Sequence, residues 1–295
     1  MIHGFKIGHY SDYEGGTGTT VIIAENGAVG GVDVRGSAPG TRETDLLKGC
    51  KAVEKINAVC LSGGSAFGLE ACDGVMLWLA EHEKGYFTGT RYVPIVCGAV
   101  IYDLDYKAFA YPDKKSGYAA CACAAESFET GSVGAGVGAT VGKIFGMDNC
   151  CKGGVGYAEI SVGEAVVGAI VVTNSFGDVI DIEKGGSVVA GAKKDGVFVG
   201  TADYILKNAV SDLKGGVNTT IGCVFTDAVL TREQANKLAE AAHNGLALSV
   251  SPVHTMLDGD TMFVMAGCEK TADFTALTCA APLAVRKAVL SAVKK

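Results

Sequence analysis

Two kinds of hydrophobic pattern alternate along this chain. Short apolar or alternating runs bounded by glycine-rich turns predict strands at TTVIIAE (19–25), AVGGVDVR (28–35), AVCLSGG (58–64), YAEISVG (157–163), AVVGAIVVTN (165–174), SVVAGAKKDGVFVG (187–200), IGCVF (221–225) and DTMFVMAG (260–267). Longer stretches of helical character lie between them. Residues 65–83 carry an apolar face of Phe67, Leu69, Val75, Met76 and Leu79, with Gly68, Ala71 and Gly74 small enough for very close packing. An Ala- and Cys-rich helix is expected at 116–127, and a C-terminal one at 273–293. Thr231 and Gln234 form a capping-box pattern that opens a helix at ANKLAEAAHNGLAL. The segment 201–217 reads as an exposed linker or weak helix ending in Gly215-Gly216. Strands that alternate with helices but also pair as hairpins predict an α+β layered sandwich rather than a doubly wound parallel sheet.

Composition narrows the function classes. With 295 residues, 48% hydrophobic and 19% charged, the chain suits one large domain or two intimately packed ones. A net charge of −7 argues against nucleic acid as a partner. The start MIHGFKIGHYSDYEG has no apolar leader, and no apolar run approaches the roughly 20 residues that span a membrane. Eleven cysteines in mostly apolar context therefore read as reduced thiols of a cytoplasmic protein without a membrane partner. Cys121 with Cys123, and Cys150 with Cys151, lack zinc-site spacing, so neither a metal nor another cofactor is expected.

The 42 glycines concentrate in GGSAFG, GSVGAGVGATVG and CKGGVG, where backbone packs on backbone or approaches a ligand. Gly134-x-Gly136-x-x-Ala139 meets a loose dinucleotide fingerprint, but no apolar strand precedes it. A Walker loop fails because Ile144 follows Lys143. A glycine-lined wall of an active site, including Gly136 and Gly138 with Lys143 as a polar member, is the better reading. Ser65 in GGSAFG misses the nucleophile elbow because Phe67 stands at the last glycine position, and it reads as an N-cap. Of five histidines only His254, in PVHTMLDGD, has a suggestive setting, and no linear triad pattern includes it.

The remaining candidate is Thr219 in GGVNTTIGCVFTDA, beside Thr220. β-Propensity alone would explain threonines at the start of a strand. As a nucleophile Thr219 needs a base, and breaking the Asn218–Thr219 bond would supply one as its own α-amine. The Thr219 hydroxyl would attack the Asn218 carbonyl, and water would hydrolyse the resulting ester, with Gly215-Gly216 giving the turn its freedom.

Long motifs in order then point to a family. EGGTGTTV (14–21), GVDVRGSAPGTRETDLL (31–47), LSGGSAFGLEACDGVMLWL (61–79), GSVGAGVGATVGK, VVTNSFGD (171–178), NTTIGCVFTDA and PVHTMLDGDT (252–261) resemble the L-aminopeptidase/D-esterase family, which includes the β-aminopeptidases and is related in fold to ornithine acetyltransferase. The resemblance implies a four-layer αββα sandwich similar to N-terminal-nucleophile hydrolases. It implies one self-processing domain over 1–295, cut into an α subunit (1–218) and a β subunit (219–295), acting on small peptides, amides or esters and assembling as homo-oligomers, often tetramers. Thr219 would be the nucleophile, Asn174 the oxyanion-hole donor, and Asp260 the acid beside the new amine. The chain departs from the family pattern at two places. Asp258 stands where characterised aminopeptidases carry a serine, and Gly142, followed by Lys143, stands near their tyrosine. Capture of the acyl-threonine by an amine instead of water, and an uncleaved metabolite-binding oligomer, remain as alternatives.

Overall fold

The computed structural model describes residues 2–209 and 217–294. Nine strands join in one hydrogen-bonded network: β1 (Phe5–Asp12), β2 (Thr17–Val34), β3 (Thr41–Arg42), β4 (Lys55–Ser62), β5 (Val96–Val100), β6 (Gly154–Val162), β7 (Ala165–Asn174), β8 (Thr219–Ala228) and β9 (Thr261–Lys270). Their order is β6-β7-β8-β9-β2-β4-β5-β3, with β1 also on β2. The runs 19–25 and 28–35, expected as two strands, are halves of the single β2. Its halves have different neighbours: residues 17–24 pair with β1, and residues 29–34 with β9.

Alternation of side chains across each strand divides the core into three. Ile221, Cys223 and Phe225 of β8, with Ile170 and Val172 of β7, share one cluster with Ile22 of β2 and Val59 and Leu61 of β4. This cluster lies between the two halves of the sheet. On the other face of β7 and β8, Val171 and Val224 belong to a second cluster with the helices α4 and α5 described below. Ala58 and Cys60 of β4 belong to a third, with α1 and α2. Both faces of these strands are buried, which is why they read as nearly unbroken apolar runs.

The covering helices are α1 (Ala71–Glu81) and α2 (Lys114–Ala122) on one side, and α4 (Arg232–Ala247) and α5 (Phe274–Ala292) on the other, with a short α3 (Thr201–Asn208). The result is an αββα sandwich, as the resemblance implied. The Thr231–Gln234 capping box forms at the start of α4, with Thr231 N donating to Gln234 Oε1 at 3.0 Å and Gln234 N to Thr231 Oγ1 at 3.2 Å. By length and composition α5, the helix expected at 273–293, would reach across a membrane, although the sequence reading found no apolar run of that length. Here Leu277, Ala281, Val285 and Val289 are fully buried in the second cluster, so its apolarity is that of a core helix.

The small residues expected to permit close packing do so between α1 and α2. A Cβ at Gly74 would stand 1.9 Å from the carbonyl oxygen of Lys114, and one at Gly117 would stand 1.9 Å from that of Ala71. Gly74→Ala is therefore expected to cost about 2–3 kcal/mol, read as a lower thermal midpoint, since the helices must separate to admit the methyl group.

Two expectations are corrected, both at the start of the 65–83 segment. The 65–83 segment begins as a 3-10 helix, Ser65–Glu70, and turns α-helical only at Ala71. Ser65 is not its cap, because the chain turns there through left-handed backbone at Gly64 (φ 81) and Ser65 (φ 52), with no side-chain cap bond. In the 201–217 segment, residues 201–208 form α3, while Gly215-Gly216 lies outside the described residues.

Candidate active site

Strand register brings the candidates to one end of the sheet. Antiparallel β7 and β8 place Asn174, the last residue of one, directly opposite Thr219, the first of the other. Parallel pairing of β9 with β8 starts at Ile221 and Thr261, so the loop before β9 arrives at the same end and bridges Asn218 to Asp258.

Thr219 is buried there, and its Oγ1 donates to the carbonyl oxygen of Asn218 at 2.5 Å. The amide of Gly259 donates to that same oxygen at 3.0 Å. The peptide bond between Asn218 and Thr219 thus has a hydroxyl folded back on it and its carbonyl polarised by a backbone N–H. The oxyanion that follows attack on this carbonyl would keep the Gly259 donor already in place.

Two carboxylates flank the bond, each nearly inaccessible to solvent. Asp260 Oδ1 accepts from Thr220 N at 2.7 Å, while its Oδ2 accepts from His254 Nδ1 at 2.8 Å and from His254 N at 3.2 Å. Asp258 accepts from Phe176 N at 3.2 Å, and from Thr255 N at 3.1 Å and Thr255 Oγ1 at 2.5 Å. Burial, and then the neighbouring Asp260, raise the Asp258 carboxyl above the usual carboxylate range.

On the opposite flank stands Lys143. Its Nζ donates to Asn174 Oδ1 at 2.7 Å, to Asn174 O at 3.0 Å and to Val217 O at 3.3 Å. Burial pushes this ammonium down to about 7. Asn174 Oδ1 also accepts from Thr140 N at 3.0 Å, and its Nδ2 donates to Tyr102 O at 3.2 Å. Lys143 is therefore a polar member of the site rather than a surface charge.

A cavity of about 200 Å³ opens beside this group, lined by Tyr102, Asp103, Asp105, Tyr106, Gly138 and Lys143 among others. Asp103 accepts from Thr17 Oγ1 at 2.8 Å and from Gly64 N at 2.6 Å, and burial lifts its carboxyl to about 6. Gly138 belongs to the wall because a Cβ there would meet Gly16 O at 2.4 Å and Asp103 at 2.5 Å. Gly136 stands behind that wall. It packs on the backbone of Gly131 and Val155, and its carbonyl accepts from Lys152 Nζ at 2.5 Å. Residues 134–136 form one 3-10 turn and 140–141 a short strand, so the nucleotide fingerprint lacks its helix. At Gly142 (φ 74) a Cβ would stand 2.1 Å from Ala192 N, which leaves no room for a tyrosine. Among the described residues no group of three His, Cys, Asp or Glu side chains is placed to hold a metal, and all eleven cysteines are free thiols.

The pattern of peptidase family S58 matches residues 2–295. The chain belongs to peptidase family S58. It is 42% identical over 291 residues to an uncharacterized aminopeptidase of Mycobacterium leprae, covering 90% of this chain and 77% of that one. It is 35% identical over 273 residues to a 6-aminohexanoate-oligomer endohydrolase of Agromyces, covering 89% and 72%. The fold is that of the Burkholderia β-aminopeptidase (TM-score 0.71, 19% identity, 99% of this chain and 84% of that one). The L-aminopeptidase D-Ala-esterase/amidase of Ochrobactrum anthropi, described as a variant of the Ntn-hydrolase fold, is equally similar (TM-score 0.72, 16% identity, 99% and 84%).

This S58 hydrolase gathers Thr219, Asn218, Thr220, Asn174, Lys143, Asp258 and Asp260 at one place, and Gly138 at the adjoining cavity. Sequence reasoning missed the Gly259 amide and Asp103. A backbone donor leaves no mark on residue type, and Asp103 sits in YDLDY with only a second aspartate nearby to distinguish it.

Proposed function

We propose that the chain cleaves itself between Asn218 and Thr219 and then acts as an N-terminal-threonine amidohydrolase, an aminopeptidase for short substrates. The observation that carries this reading is the Thr219 hydroxyl on the Asn218 carbonyl, with the Gly259 amide on the same oxygen.

In maturation, Oγ1 attacks the carbonyl carbon of Asn218 and the peptide nitrogen leaves, which turns the amide into an ester. The departing nitrogen takes the Oγ1 proton and becomes the free α-amine of Thr219, and water then cleaves the ester to give the Asn218 carboxylate and restore the Thr219 hydroxyl. The amine has an unperturbed pKa near 7.7–8.0, so much of it is neutral at working pH and takes the Oγ1 proton. The hydroxyl oxygen then attacks a substrate amide. The oxyanion forms beside the Asn174 amide, the leaving amine takes the proton, and water releases the acid from acyl-Thr219. Asp260 holds the ammonium form of the Thr219 amine between these steps.

The cavity favours an acyl group that is short and bears a free amine. It holds about 200 Å³, and Asp103 and Asp105 stand in its wall. The relatives named as aminopeptidases agree with that choice, whereas the one named as a 6-aminohexanoate-oligomer endohydrolase acts within a chain and speaks only for amide hydrolysis. Asp103→Asn is expected to raise KM for an amine-bearing substrate about tenfold with kcat changed less than threefold, since one charge-assisted hydrogen bond to the ground state is lost. Steady-state kinetics against an N-acetylated analogue checks this, because the analogue should not respond.

The mechanism is tested by quenching turnover of a slowly deacylating ester and mapping the adduct by mass. The acyl increment is expected on the peptide that begins with Thr219. Hydrolysis without any adduct there would overturn the reading. An added amine acceptor in the same assay separates hydrolysis from acyl transfer by its product.

A further inference from the structure

Behind Asp260 lies a pair of histidines that the reaction above does not use. His254 Nδ1 stands 2.8 Å from Asp260 Oδ2, and the His254 backbone amide donates to the same oxygen at 3.2 Å. The second carboxylate oxygen is left to the nucleophile strand, where it accepts from Thr220 N at 2.7 Å. His254 holds this geometry with left-handed backbone (φ 54), a conformation that disfavours a non-glycine residue and persists where surroundings enforce it. That twist lets one residue present its ring and its own amide to one oxygen.

We propose that His254 is a positioning residue for Asp260: its two donors clamp Oδ2 so that Oδ1 faces the start of the nucleophile strand. This rests on the reading of Thr219 as a freed N-terminus. A carboxylate held by three donors cannot swing, and its charge stays directed at the amine one residue before Thr220. An opposite charge held close favours the ammonium form, and so sets the pH at which the base becomes available.

The surroundings keep the clamp undisturbed. The ring of His243, from α4, packs edge-on to that of His254 with centroids 4.8 Å apart. Its Nε2 donates to Asp33 O at 3.0 Å, and burial pushes it down to about 4, so it stays neutral at working pH and does not compete for Asp260. The other charged groups here are Asp33 and Arg35, paired with each other at 2.7 Å, Asp258 of the same loop, and Lys143 on Asn174 at the nucleophile's end of the sheet. Among the described residues His254 Nε2 has no partner, and it is shut from solvent, consistent with Nδ1 as the ring's donor to the carboxylate.

The test compares His254→Gly with His254→Asn in the purified full-length protein. Glycine keeps the left-handed backbone and removes the ring donor. Asparagine tolerates that backbone and places an amide N–H where Nδ1 stands. His254→Gly is expected to lower kcat about 10- to 100-fold with KM within twofold. It should also move the acid limb of the kcat/KM profile to lower pH by about half a unit, because the amine loses its fixed counter-charge. His254→Asn should return kcat to within about threefold and restore the limb. If His254→Gly does not fold, His254→Gln replaces it, since its longer side chain carries the amide past the Nδ1 position. Asn near wild type with Gln low supports the clamp, and equal activities overturn it. A purely structural role would lower activity without moving the limb. Intact mass of the wild type separates the two readings: an uncut, active wild type overturns the Thr219 mechanism itself. A cut wild type whose limb is unmoved in His254→Gly overturns only the clamp.

Discussion

Thr219→Ala should give a chain of undivided mass whose hydrolase activity is at least about 10⁴-fold below wild type. The two losses share one cause. The same oxygen that donates to the Asn218 carbonyl at 2.5 Å is the one proposed to attack substrates, and alanine removes it from both reactions. Folding should survive, because among the described residues Thr219 Oγ1 bonds only to its own preceding carbonyl, and the Asn218 oxygen keeps the Gly259 amide. Thr219→Ser is the control: it retains the oxygen and should still divide. Intact mass and hydrolysis of an aminoacyl amide read both effects on one preparation.

The second large effect is expected at Lys143. Its ammonium donates to Asn174 Oδ1, and a hydrogen bond to the carbonyl end of an amide polarises its N–H donors at the other end. Lys143→Met should lower kcat about 10²-fold, comparable with removing one oxyanion-hole donor. The pH dependence carries the sign. Burial brings Lys143 down to about 7, so its charge is present below that pH and lost as pH rises through it. The proposed Thr219 amine, unperturbed near 7.7–8.0, would become a base only as pH rises. Opposed requirements give a narrow bell-shaped kcat/KM profile, and Lys143→Met should lack its alkaline limb. A profile in which the variant keeps that limb would assign it to another group.

The legibility of the chain varied with the range of the interactions involved. β7 occupies the residues that the apolar run AVVGAIVVTN marked out, and α4 begins at its capping box, because both signals are local. β2 was misread as two strands since Glu25-Asn26-Gly27 looks like a turn. In the sheet the register shifts between Ile23 and Ala28, and the strand continues through the irregularity into its second set of neighbours. Ser65 was misread because a left-handed serine is a demand of the strand-to-helix turn, not a residue preference.

At the site, Thr219 was legible as a hydroxyl opening an apolar strand directly after an asparagine. Its meeting with Asn174 required the β7–β8 register, and its meeting with Gly259 required the β8–β9 pairing. Neither is encoded within fewer than about forty residues of chain, so motif order through the family resemblance supplied what local pattern did not. The chemistry of Lys143 depended on burial, which no spacing rule reports.

The most direct test is the intact mass of the purified protein with N-terminal sequencing of each fragment. Two fragments, the smaller beginning Thr219-Thr220-Ile221, are the predicted result. A fully active enzyme that stays one chain of 30.1 kDa would contradict the account, since its proposed base would not exist.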